Sequence, residues 1–555
     1  MLRKGVSPLG WILLVALALR LSGLFWGLPG ADGWDNDGFA PRNFLTALAL
    51  TWKPGSYFTY PPLHALLLAL PSLPVAGWAL LHAPSLHPHD VIATITQPGY
   101  MTYFSVVARV IAIAMSLGII VIVAAMARLI AGPRAGVMAA GAAALNFGLT
   151  YYGQVSNLDV PYLFWGLLAL LLLMQAVMLR QPLRLWWAAL AAAASVATKD
   201  QAYALFLISL PVFVGLWFAV DPWPRAHARA VLTTLVLAAV VAIVTLLLVD
   251  GVITNPSGFI KRIAFLTGPA SGDYVEYVRG VRGWWALLRD MFAYYGVGAL
   301  ALAGLGLLLS LRYRGLQLVV ALLPLLAAVS FTVCFNFAAL RSDARFLLPQ
   351  AVLACVYIGI AAQMLIDQRQ PLVRWLGRSV VALVALMSMH QAFVIDIAML
   401  QDPRYDAQRW LAQNARLGDT VELYDRNWLL PRLPDGVHAW RVGQSDIAKR
   451  NPMVGVVELR QPFADIATRR PRFILVSDVW LQRYRPMSAK DGRSLSPNQQ
   501  ADLRDGDARQ YFTALMQGRL GYRLVHLSQA PADIWPVVHL HDSLNEPLVI
   551  YERAP

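Results

Sequence analysis

The sequence has little charge and almost no cysteine. Of its 555 residues, 14% are charged and 58% are apolar, whereas an ordinary soluble domain carries about 25% charged residues. This composition excludes a large soluble enzyme, a disordered chain and a coiled coil. The two cysteines, Cys334 and Cys355, both lie in apolar runs, so the chain offers no disulfide framework.

Charge is scarce in the first 400 residues and ordinary in the last 155. Residues 1–400 hold 25 Lys and Arg with 14 Asp and Glu, whereas residues 401–555 hold 21 and 18. We therefore predict a lipid-compatible domain over 1–400 and a water-compatible domain over 401–555. The net charge of +14 is not gathered on one polar segment. It argues for loop charges that set membrane orientation, not for binding to nucleic acid.

Long apolar runs are abundant. A membrane span needs about 20 mostly apolar residues, and we predict eleven such spans. They cover approximately 8–28, 104–130, 134–152, 160–179, 184–199, 201–220, 229–249, 293–311, 315–335, 346–366 and 379–399. The first run follows Arg3 and Lys4, contains Arg20 and lacks a clear cleavage site before Gly30. We expect it to be a retained span and not a signal peptide.

Arginine clusters fall in every second connection between the predicted spans. They are Arg128 with Arg134, Arg180 with Arg184, Arg225 with Arg229, Arg312 with Arg314, and Arg369 with Arg374 and Arg378. The positive-inside rule makes these loops, and the amino terminus, cytoplasmic. Among the acids of residues 1–400, only Asp221 and Asp367 fall on that side. Eleven spans then place the carboxyl-terminal domain on the outer side of an inner cell membrane.

One apolar run, Pro62 to His82, does not fit this alternation. It is long enough to cross a membrane, but counting it would invert every later loop. It also contains Pro71, Pro74 and Gly77, which we expect to break a helix. We predict an interfacial or re-entrant segment within a long first outer loop, about 29–103. A twelfth span is the alternative.

The last 155 residues have the pattern of a small α/β domain. Helical spacing runs over 406–417, and short strands are predicted at 420–424, 472–476, 522–527 and 548–551, separated by Pro and Gly turns. The predicted fold is thus a polytopic α-helical membrane protein with a small extracytoplasmic α/β domain at its carboxyl end.

Two groups of acids lie at the outer ends of the predicted spans. Asp35 and Asp37 follow the first span, and Asp159 begins the fourth in the segment Leu158-Asp159-Val160-Pro161. A carboxylate at the rim of an apolar cavity can act as general base, because desolvation raises its pKa. The alternative for Asp35 is a solvated turn. The alternative for Asp159 is a helix cap.

Two cations also lie at outer ends, against the positive-inside trend. Lys199 follows Ala197-Thr198, and Arg345 lies in the segment Ala344-Arg345-Phe346. A bound phosphate would explain them, since Lys and Arg are the usual phosphate partners. The alternative is a local ion pair at each position, Lys199 with Asp200 and Arg345 with Asp343.

The order of these motifs resembles a known family. It comprises an outer-loop acid, Tyr60-Pro61-Pro62, Val107-Ala108-Arg109-Val110-Ile111-Ala112, Leu158-Asp159-Val160-Pro161, Ala197-Thr198-Lys199 and Ala344-Arg345-Phe346-Leu347-Leu348-Pro349. This order is similar to that of the GT-C membrane glycosyltransferases, in particular family 39, the protein O-mannosyltransferases and the lipid A aminoarabinose transferases. The resemblance covers nearly all of residues 8–400.

The resemblance implies an enzyme that moves a sugar from a polyprenyl-phosphate carrier to a lipid, glycan or protein acceptor at the outer membrane face, with inversion. It assigns catalytic roles to Asp35, as base, and Asp159. It assigns binding of the donor phosphate to Lys199 and Arg345. Further candidates for the substrate pocket are Asp37, Tyr60 and Arg42.

Two departures from the family pattern leave metal dependence open. The second member of the first-loop acid pair is Asn36, and Thr59 stands where the aminoarabinose enzymes have a metal-binding Glu. A divalent cation is therefore neither assigned nor excluded, and no other cofactor is expected. Three other functions compete with a sugar transferase. They are a transporter or lipid flippase, a non-catalytic scaffold, and a glycan polymerase or ligase that uses the same class of carrier.

Overall fold

The computed structural model describes residues 7–30, 33–35, 38–39, 41–221, 225–268, 270, 272, 274–447, 452, 455–484, 493–529 and 544–554. The first 400 residues are mainly helical. The helices are α1 (Pro8–Leu21), α2 (Pro41–Leu50), α3 (Leu63–His82), α4 (Pro88–Ile95), α5 (Pro98–Ala131), α6 (Pro133–Ala144), α7 (Phe147–Tyr152), α8 (Asp159–Met178), α9 (Leu183–Val196), α10 (Ser209–Val220), α11 (Arg225–Val249), α12 (Pro256–Thr267), α13 (Val281–Tyr295), α14 (Val297–Ser310), α15 (Gly315–Phe331), α16 (Phe337–Ala339), α17 (Leu348–Ile366) and α18 (Pro371–Leu400).

The chain is a polytopic helical membrane protein, and helices cover most of each predicted span. However, α1 ends at Leu21, the predicted span 201–220 begins as a 3-10 helix that ends at Leu205, and Gly296 separates α13 from α14 within the predicted span 293–311. Within the described residues, eight helical segments are long and apolar enough to cross a membrane by length and composition, and α13 with α14 forms a further apolar pair bent by 102°. The helices α1 and α9 are apolar but shorter. The predicted span 134–152 is interrupted between α6 and α7, where the Asn146 side chain accepts from the Leu149 N–H and caps α7.

The segment 62–82 is one continuous helix, α3, which contains Pro71 and Pro74. The prediction that these prolines break the helix is wrong. A proline removes only one hydrogen bond and can be accommodated in an apolar membrane helix. Leu70, Leu73 and Leu81 are exposed along it, as expected of a helix that faces lipid. Whether α3 crosses the membrane or lies at its surface stays a prediction.

Glycines allow the central helices to pack closely. A Cβ at Gly306 of α14 would lie 1.9 Å from the Tyr357 carbonyl oxygen of α17, and one at Gly359 would lie 2.6 Å from the Ala135 carbonyl oxygen of α6. These short distances show that the helix backbones lie in direct contact at the two glycines. Small residues commonly allow such close packing between membrane helices. The helix α17 is consequently buried along most of its length.

Two ion pairs join the arginine-rich loops at one end of the bundle. Arg134 Nη1 lies 3.1 Å from both carboxylate oxygens of Asp367, and Arg180 Nη2 lies 3.2 Å from Asp221 Oδ1. These are the two acids that the sequence places on the cytoplasmic side. Their pairing with cations of that side agrees with the predicted alternation of the loops, while orientation relative to the cell stays a prediction.

The residues after α18 form an α/β structure around a six-stranded sheet. Helix α19 (Pro403–Asn414) comes first, followed by β2 (Thr420–Leu423), β3 (His438–Gly443), β4 (Val456–Arg460), α20 (Ile466–Arg469), β5 (Phe473–Ser477), α21 (Asp478–Gln482), α22 (Pro497–Arg504), α23 (Gly506–Met516), β7 (Tyr522–Ser528) and β8 (Leu548–Arg553). The strand order is β4-β3-β2-β5-β8-β7, with β4 to β5 parallel and β8 and β7 antiparallel. Two short strands, β1 (Glu276–Tyr277) and β6 (Arg493–Ser494), form a separate pair.

The sequence predicts four of the six strands of this sheet. The strands β3 and β4 were missed, because their mixed polar sequences lack the continuous apolar run of β5. In these two strands, only the adjacent valines Val456 and Val457 indicate an extended segment.

The α/β structure is docked onto the loop that follows α1. Trp26 Nε1 donates to Asp402 Oδ2 at 3.0 Å, and Trp34 Nε1 donates to the Leu430 carbonyl oxygen at 3.0 Å. Arg404 lies between the two tryptophans, with its guanidinium carbon 5.2 Å and 4.4 Å from their ring centroids. It also pairs with Asp402, Nη2 to Oδ2, at 2.6 Å. This buried contact brings Arg404 and Leu430 of the α/β structure against Trp34, which directly precedes Asp35 in the chain.

Candidate active site

The clearest feature of the site is a buried ion pair between two different helices. Asp159 begins α8, and its backbone N–H donates to Asn157 Oδ1 at 2.8 Å. Its carboxylate Oδ1 accepts from Lys199 Nζ at 2.7 Å and from Gln201 Nε2 at 3.1 Å. Lys199 follows the end of α9, so the pair joins the ends of α8 and α9. Asp159 is fully buried, and a buried carboxylate requires such a partner.

The local pair of Lys199 with Asp200, considered from the sequence, is wrong. Asp200 Oδ1 instead lies 3.2 Å from Arg262 Nη2, and Asp250 Oδ2 lies 3.4 Å from the same nitrogen. Burial raises the pKa of Asp250, at the end of α11, to about 7, with Arg262 opposing the shift. Sequence analysis missed this group because its members lie more than ten positions apart and only packing brings them together.

Arg345 lies in a short 3-10 turn immediately before α17, and its side chain is buried. Its backbone N–H donates to Asp343 Oδ1 at 3.1 Å, and its Nε lies 3.5 Å from Asp343 Oδ2. The local pair considered for this residue is therefore present. Its Nη2 also donates to the Tyr274 hydroxyl, a partner that no sequence motif indicates.

Three buried tyrosines, Tyr152, Tyr162 and Tyr294, interact with Arg345 or with the Asp159–Lys199 pair. The ring centroid of Tyr162 is 5.9 Å from Lys199 Nζ. Arg345 interacts electrostatically with Tyr152 and Tyr162, and Asp159 interacts with Tyr162 and Tyr294. Both cations therefore border one polar cluster inside the bundle.

The hydroxyls of Tyr152 and Tyr294 are notable within this cluster. Both are buried, and neither has a hydrogen-bond partner among the described residues. A buried polar atom without a partner costs about 1–3 kcal/mol. Such atoms are therefore retained mainly where something else binds them. Sequence analysis missed these tyrosines because tyrosines in apolar helices resemble ordinary core residues.

Asp35 lies beside the segment that leads to Asp159. Its side chain is buried, and the Phe39 N–H donates to the Ser156 carbonyl oxygen at 2.7 Å. A Cβ at Gly38 would lie 3.1 Å from Asp35 Oδ2 and 3.2 Å from Ser156 Oγ. The carboxylate and the hydroxyl thus approach the same point. Arg109 attracts Asp35 electrostatically and is itself held by the Leu24 carbonyl oxygen at 2.8 Å.

Tyr60 lies between the first loop and the lysine segment. Its ring centroid is 5.7 Å from that of Phe39, and the Leu63 N–H, three residues later, donates to the Ala197 carbonyl oxygen at 3.1 Å. The motif containing Tyr60 is therefore adjacent to Lys199. Asp37, the other acid predicted for this loop, lies outside the described residues. The side chain of Arg42, in the first turn of α2, does so as well.

The donor groups of the site fit a phosphate better than a metal ion. Asp159 already has Lys199 as its counter-ion, and two cations border the same cluster. Across the described ranges, no group of three or more His, Cys, Asp or Glu residues could hold a metal ion.

The fold and the site together define a multi-pass membrane protein with buried acids and cations at the end that carries an α/β domain. No protein-family model and no curated protein matches the sequence. Solved structures do show similarity. ArnT from Cupriavidus metallidurans in the apo state is 15% identical, with 87% of this chain and 97% of that chain covered and a TM-score of 0.47. The same protein bound to undecaprenyl phosphate gives a TM-score of 0.49 with equal coverage and identity.

Two further similar structures come from other organisms. The oligosaccharyltransferase AglB from Archaeoglobus fulgidus is 13% identical over 94% of this chain and 80% of that chain, with a TM-score of 0.43. The arabinofuranosyltransferase AftD from Mycobacteria is 14% identical over 98% of this chain and 41% of that chain, with a TM-score of 0.42. All three are GT-C glycosyltransferases, the superfamily that the sequence motifs resemble.

Proposed function

We propose that this protein is a glycosyltransferase that moves a sugar from a polyprenyl-phosphate donor to a lipid, glycan or protein acceptor at the outer face of the membrane. One observation carries the proposal. Asp159 and Lys199 form a buried ion pair, and Asp35 and Arg345 are also largely buried although charge is scarce in the first 400 residues. Buried charges in a membrane protein are costly and usually functional.

The cations suit the phosphate of a lipid-linked donor. Lys199 Nζ lies 5.9 Å from the ring centroid of Tyr162, and Arg345 also interacts electrostatically with Tyr162, so a phosphate bound beside this tyrosine would lie near both positive charges. As the bond to the sugar breaks, negative charge grows on the phosphate. Cations that are fixed in a site of low dielectric constant stabilise that charge most strongly in the transition state. A polyprenyl chain would remain in the bilayer, which agrees with a site at the ends of membrane helices.

Asp35 is the proposed general base. Its carboxylate takes the proton of an acceptor hydroxyl as that oxygen forms a bond to the anomeric carbon. The bond between the anomeric carbon and the phosphate oxygen breaks, and the phosphate leaves with the electron pair. Attack opposite the leaving group inverts the anomeric centre, as in inverting glycosidases. Asp159 orients Lys199 toward the leaving phosphate.

The proposed donor belongs to a chemical class that the similar proteins bind. ArnT has been solved with undecaprenyl phosphate and AglB with dolichol-phosphate. The proposed orientation has the amino terminus in the cytoplasm and the α/β domain outside, because the arginine-rich loops lie at the opposite end of the bundle from the site.

The test compares cell-envelope glycans and lipids with and without the chain. We expect its removal to eliminate one glycosylated component and to cause its polyprenyl-phosphate sugar to accumulate. The wild-type chain should reverse both effects, whereas Asp35→Asn should insert normally and reverse neither. Asp90→Asn, in the same predicted loop and with a carboxylate that is hydrogen-bonded to Ser85 and His89, is the matched control.

Three results would contradict this assignment. Full activity of Asp35→Asn would remove Asp35 from the role of base. An envelope without any change in glycan or lipid would contradict sugar transfer. Accumulation of the sugar-linked carrier on the cytoplasmic face alone would indicate a flippase.

A further inference from the structure

Residues near 493–498 of the α/β part contact the membrane part a second time. The strand β6 pairs antiparallel with β1 in the loop between α12 and α13, with Ser494 opposite Glu276. The Asn498 N–H also donates to the Gly272 carbonyl oxygen at 3.1 Å. The α/β part thus adds a strand to a loop of the membrane part.

The other edge of β1 contacts the chain just before Arg345. The Tyr277 N–H donates to the Leu340 carbonyl oxygen at 2.7 Å, and the Ser342 N–H donates to the Val275 carbonyl oxygen at 2.9 Å. An isolated bridge also joins Glu276 and Arg341. The strand β1 is therefore held on both edges, by β6 on one side and by residues 340–342 on the other.

Tyr274 links this layer to the proposed phosphate site. It lies two residues before β1, and its hydroxyl accepts a hydrogen bond from Arg345 Nη2. Its ring centroid is 5.4 Å from the guanidinium carbon of Arg345 and 5.0 Å from that of Arg341. The position of β1 therefore determines where Tyr274 lies, and Tyr274 in turn limits where the Arg345 side chain can lie.

We propose that β6 of the α/β domain positions Arg345 through Tyr274, so that the domain contributes to binding of the donor phosphate. The inference rests on the proposed function, which assigns the phosphate to Arg345. Tyr274 is a positioning residue in this scheme, since it acts through the arginine. Each of the two strands has only two residues, and so short a pairing contributes little stability of its own. The affinity of the site for phosphate therefore depends on whether β6 is in place.

The test measures the Kd of the full-length protein for undecaprenyl phosphate, with undecaprenol as the reference lipid that lacks phosphate. Tyr274→Phe keeps the ring and removes only the hydroxyl. A hydrogen bond to a charged group contributes about 1.5–3 kcal/mol, so we expect Kd to rise about tenfold or more. Ser494→Pro should weaken β6, because proline donates no hydrogen bond and disrupts strands, and should raise Kd similarly. Ser494→Thr is the matched control, because it keeps both the backbone N–H and the hydroxyl that donates to the Glu276 carbonyl oxygen at 3.4 Å, and it should bind as the wild type does.

The double variant distinguishes positioning from general damage. If β6 acts through Tyr274, Tyr274→Phe combined with Ser494→Pro should bind no more weakly than the weaker single variant. The inference would be overturned if the increase in Kd of the double variant were the product of the increases in the two single variants. An unchanged Kd in both single variants would overturn it as well. Wild-type protein that binds undecaprenyl phosphate no better than undecaprenol would instead contradict the proposed function.

A cross-link keeps the inference testable if Ser494→Pro fails to fold. Residues opposite each other in an antiparallel pair are close enough for a disulfide. We therefore expect Glu276→Cys with Ser494→Cys to cross-link on oxidation and to bind undecaprenyl phosphate with the wild-type Kd. Failure to cross-link in folded protein, or loss of phosphate binding after cross-linking, would overturn the inference.

Discussion

Lys199 Nζ lies 2.7 Å from Asp159 Oδ1, and this pair joins the ends of two membrane helices. The lysine side chain is 14% exposed and the aspartate side chain is fully buried. The aspartate therefore depends on the lysine for its charge balance, while the lysine retains access to the polar cluster beside it. Under the proposed function, this asymmetry leaves Lys199 able to contact a phosphate while it stays paired with Asp159.

Because Lys199 and Asp159 form a buried ion pair, we expect the double substitution to be less destabilising than the single substitution of Lys199. Removing one partner of a buried ion pair costs about 3–5 kcal/mol, because it leaves the other charge uncompensated. Lys199→Met should therefore lower the melting temperature strongly, and Lys199→Met with Asp159→Asn should restore most of the loss. Both should abolish transfer. Lys53→Met, an exposed cation of the first loop, is the control. A double variant as unstable as Lys199→Met would argue against a direct pair.

We expect removal of a buried tyrosine hydroxyl to raise the stability of the free protein and to lower its affinity for the donor. Tyr294→Phe removes a buried hydroxyl that has no partner among the described residues, so the free protein should gain about 1 kcal/mol or more. If the hydroxyl binds the donor, affinity for undecaprenyl phosphate should fall in the same variant. Tyr313→Phe, on a partly exposed tyrosine between α14 and α15, should change neither. A variant that is less stable and binds normally would exclude this role.

We expect the buried Arg404 to hold the α/β domain against the loop that follows α1. Its guanidinium pairs with Asp402 and lies against the rings of Trp26 and Trp34. Arg404→Ala would leave Asp402 buried without its cation, so we expect a loss of several kcal/mol in stability and faster proteolysis at the junction near residue 400. Arg409→Ala, on the exposed face of α19, provides the comparison. Equal protease resistance in the two variants would contradict the role of Arg404 in docking.

We expect the buried carboxyl group of Asp425 to make the stability of the folded protein depend on pH. Its carboxylate accepts from the backbone N–H and the hydroxyl of Ser477 at 2.8 and 2.6 Å, and burial raises its pKa to about 6. The folded state therefore binds a proton more tightly than the unfolded state does. The contribution of Asp425 to stability falls as pH rises from about 4 through about 6. Asp425→Asn should remove this part of the slope in thermal unfolding. Parallel slopes for variant and wild type would refute the assignment.

Much of the fold follows from local sequence signals. Apolar runs predict the helices, and the apolar run within 472–476 predicts the buried strand that the structure has as β5, because burial on a helix or strand leaves a regular pattern in sequence. The break between α6 and α7 and the continuity of α3 through its prolines were not predictable in this way. Both depend on how neighbouring helices satisfy the backbone.

The site could be predicted only in part, for a related reason. Scarce charges at the outer ends of apolar runs indicate Asp159, Lys199 and Arg345, since charge is conspicuous in an apolar sequence. Their partners are less visible. Tyr274 lies 71 positions from Arg345, and buried tyrosines resemble ordinary core residues. Contacts between distant helices are set by packing, which one sequence alone does not reveal.

The most direct test of the account is binding of the carrier phosphate by the purified protein. Wild-type protein should bind undecaprenyl phosphate saturably and much more tightly than undecaprenol, and the preference should be lost in Arg345→Met and in Lys199→Met combined with Asp159→Asn. Equal affinity for the phosphate and the alcohol, or an unchanged preference in both variants, would contradict a phosphate site between Lys199 and Arg345 and the sugar transfer that depends on it.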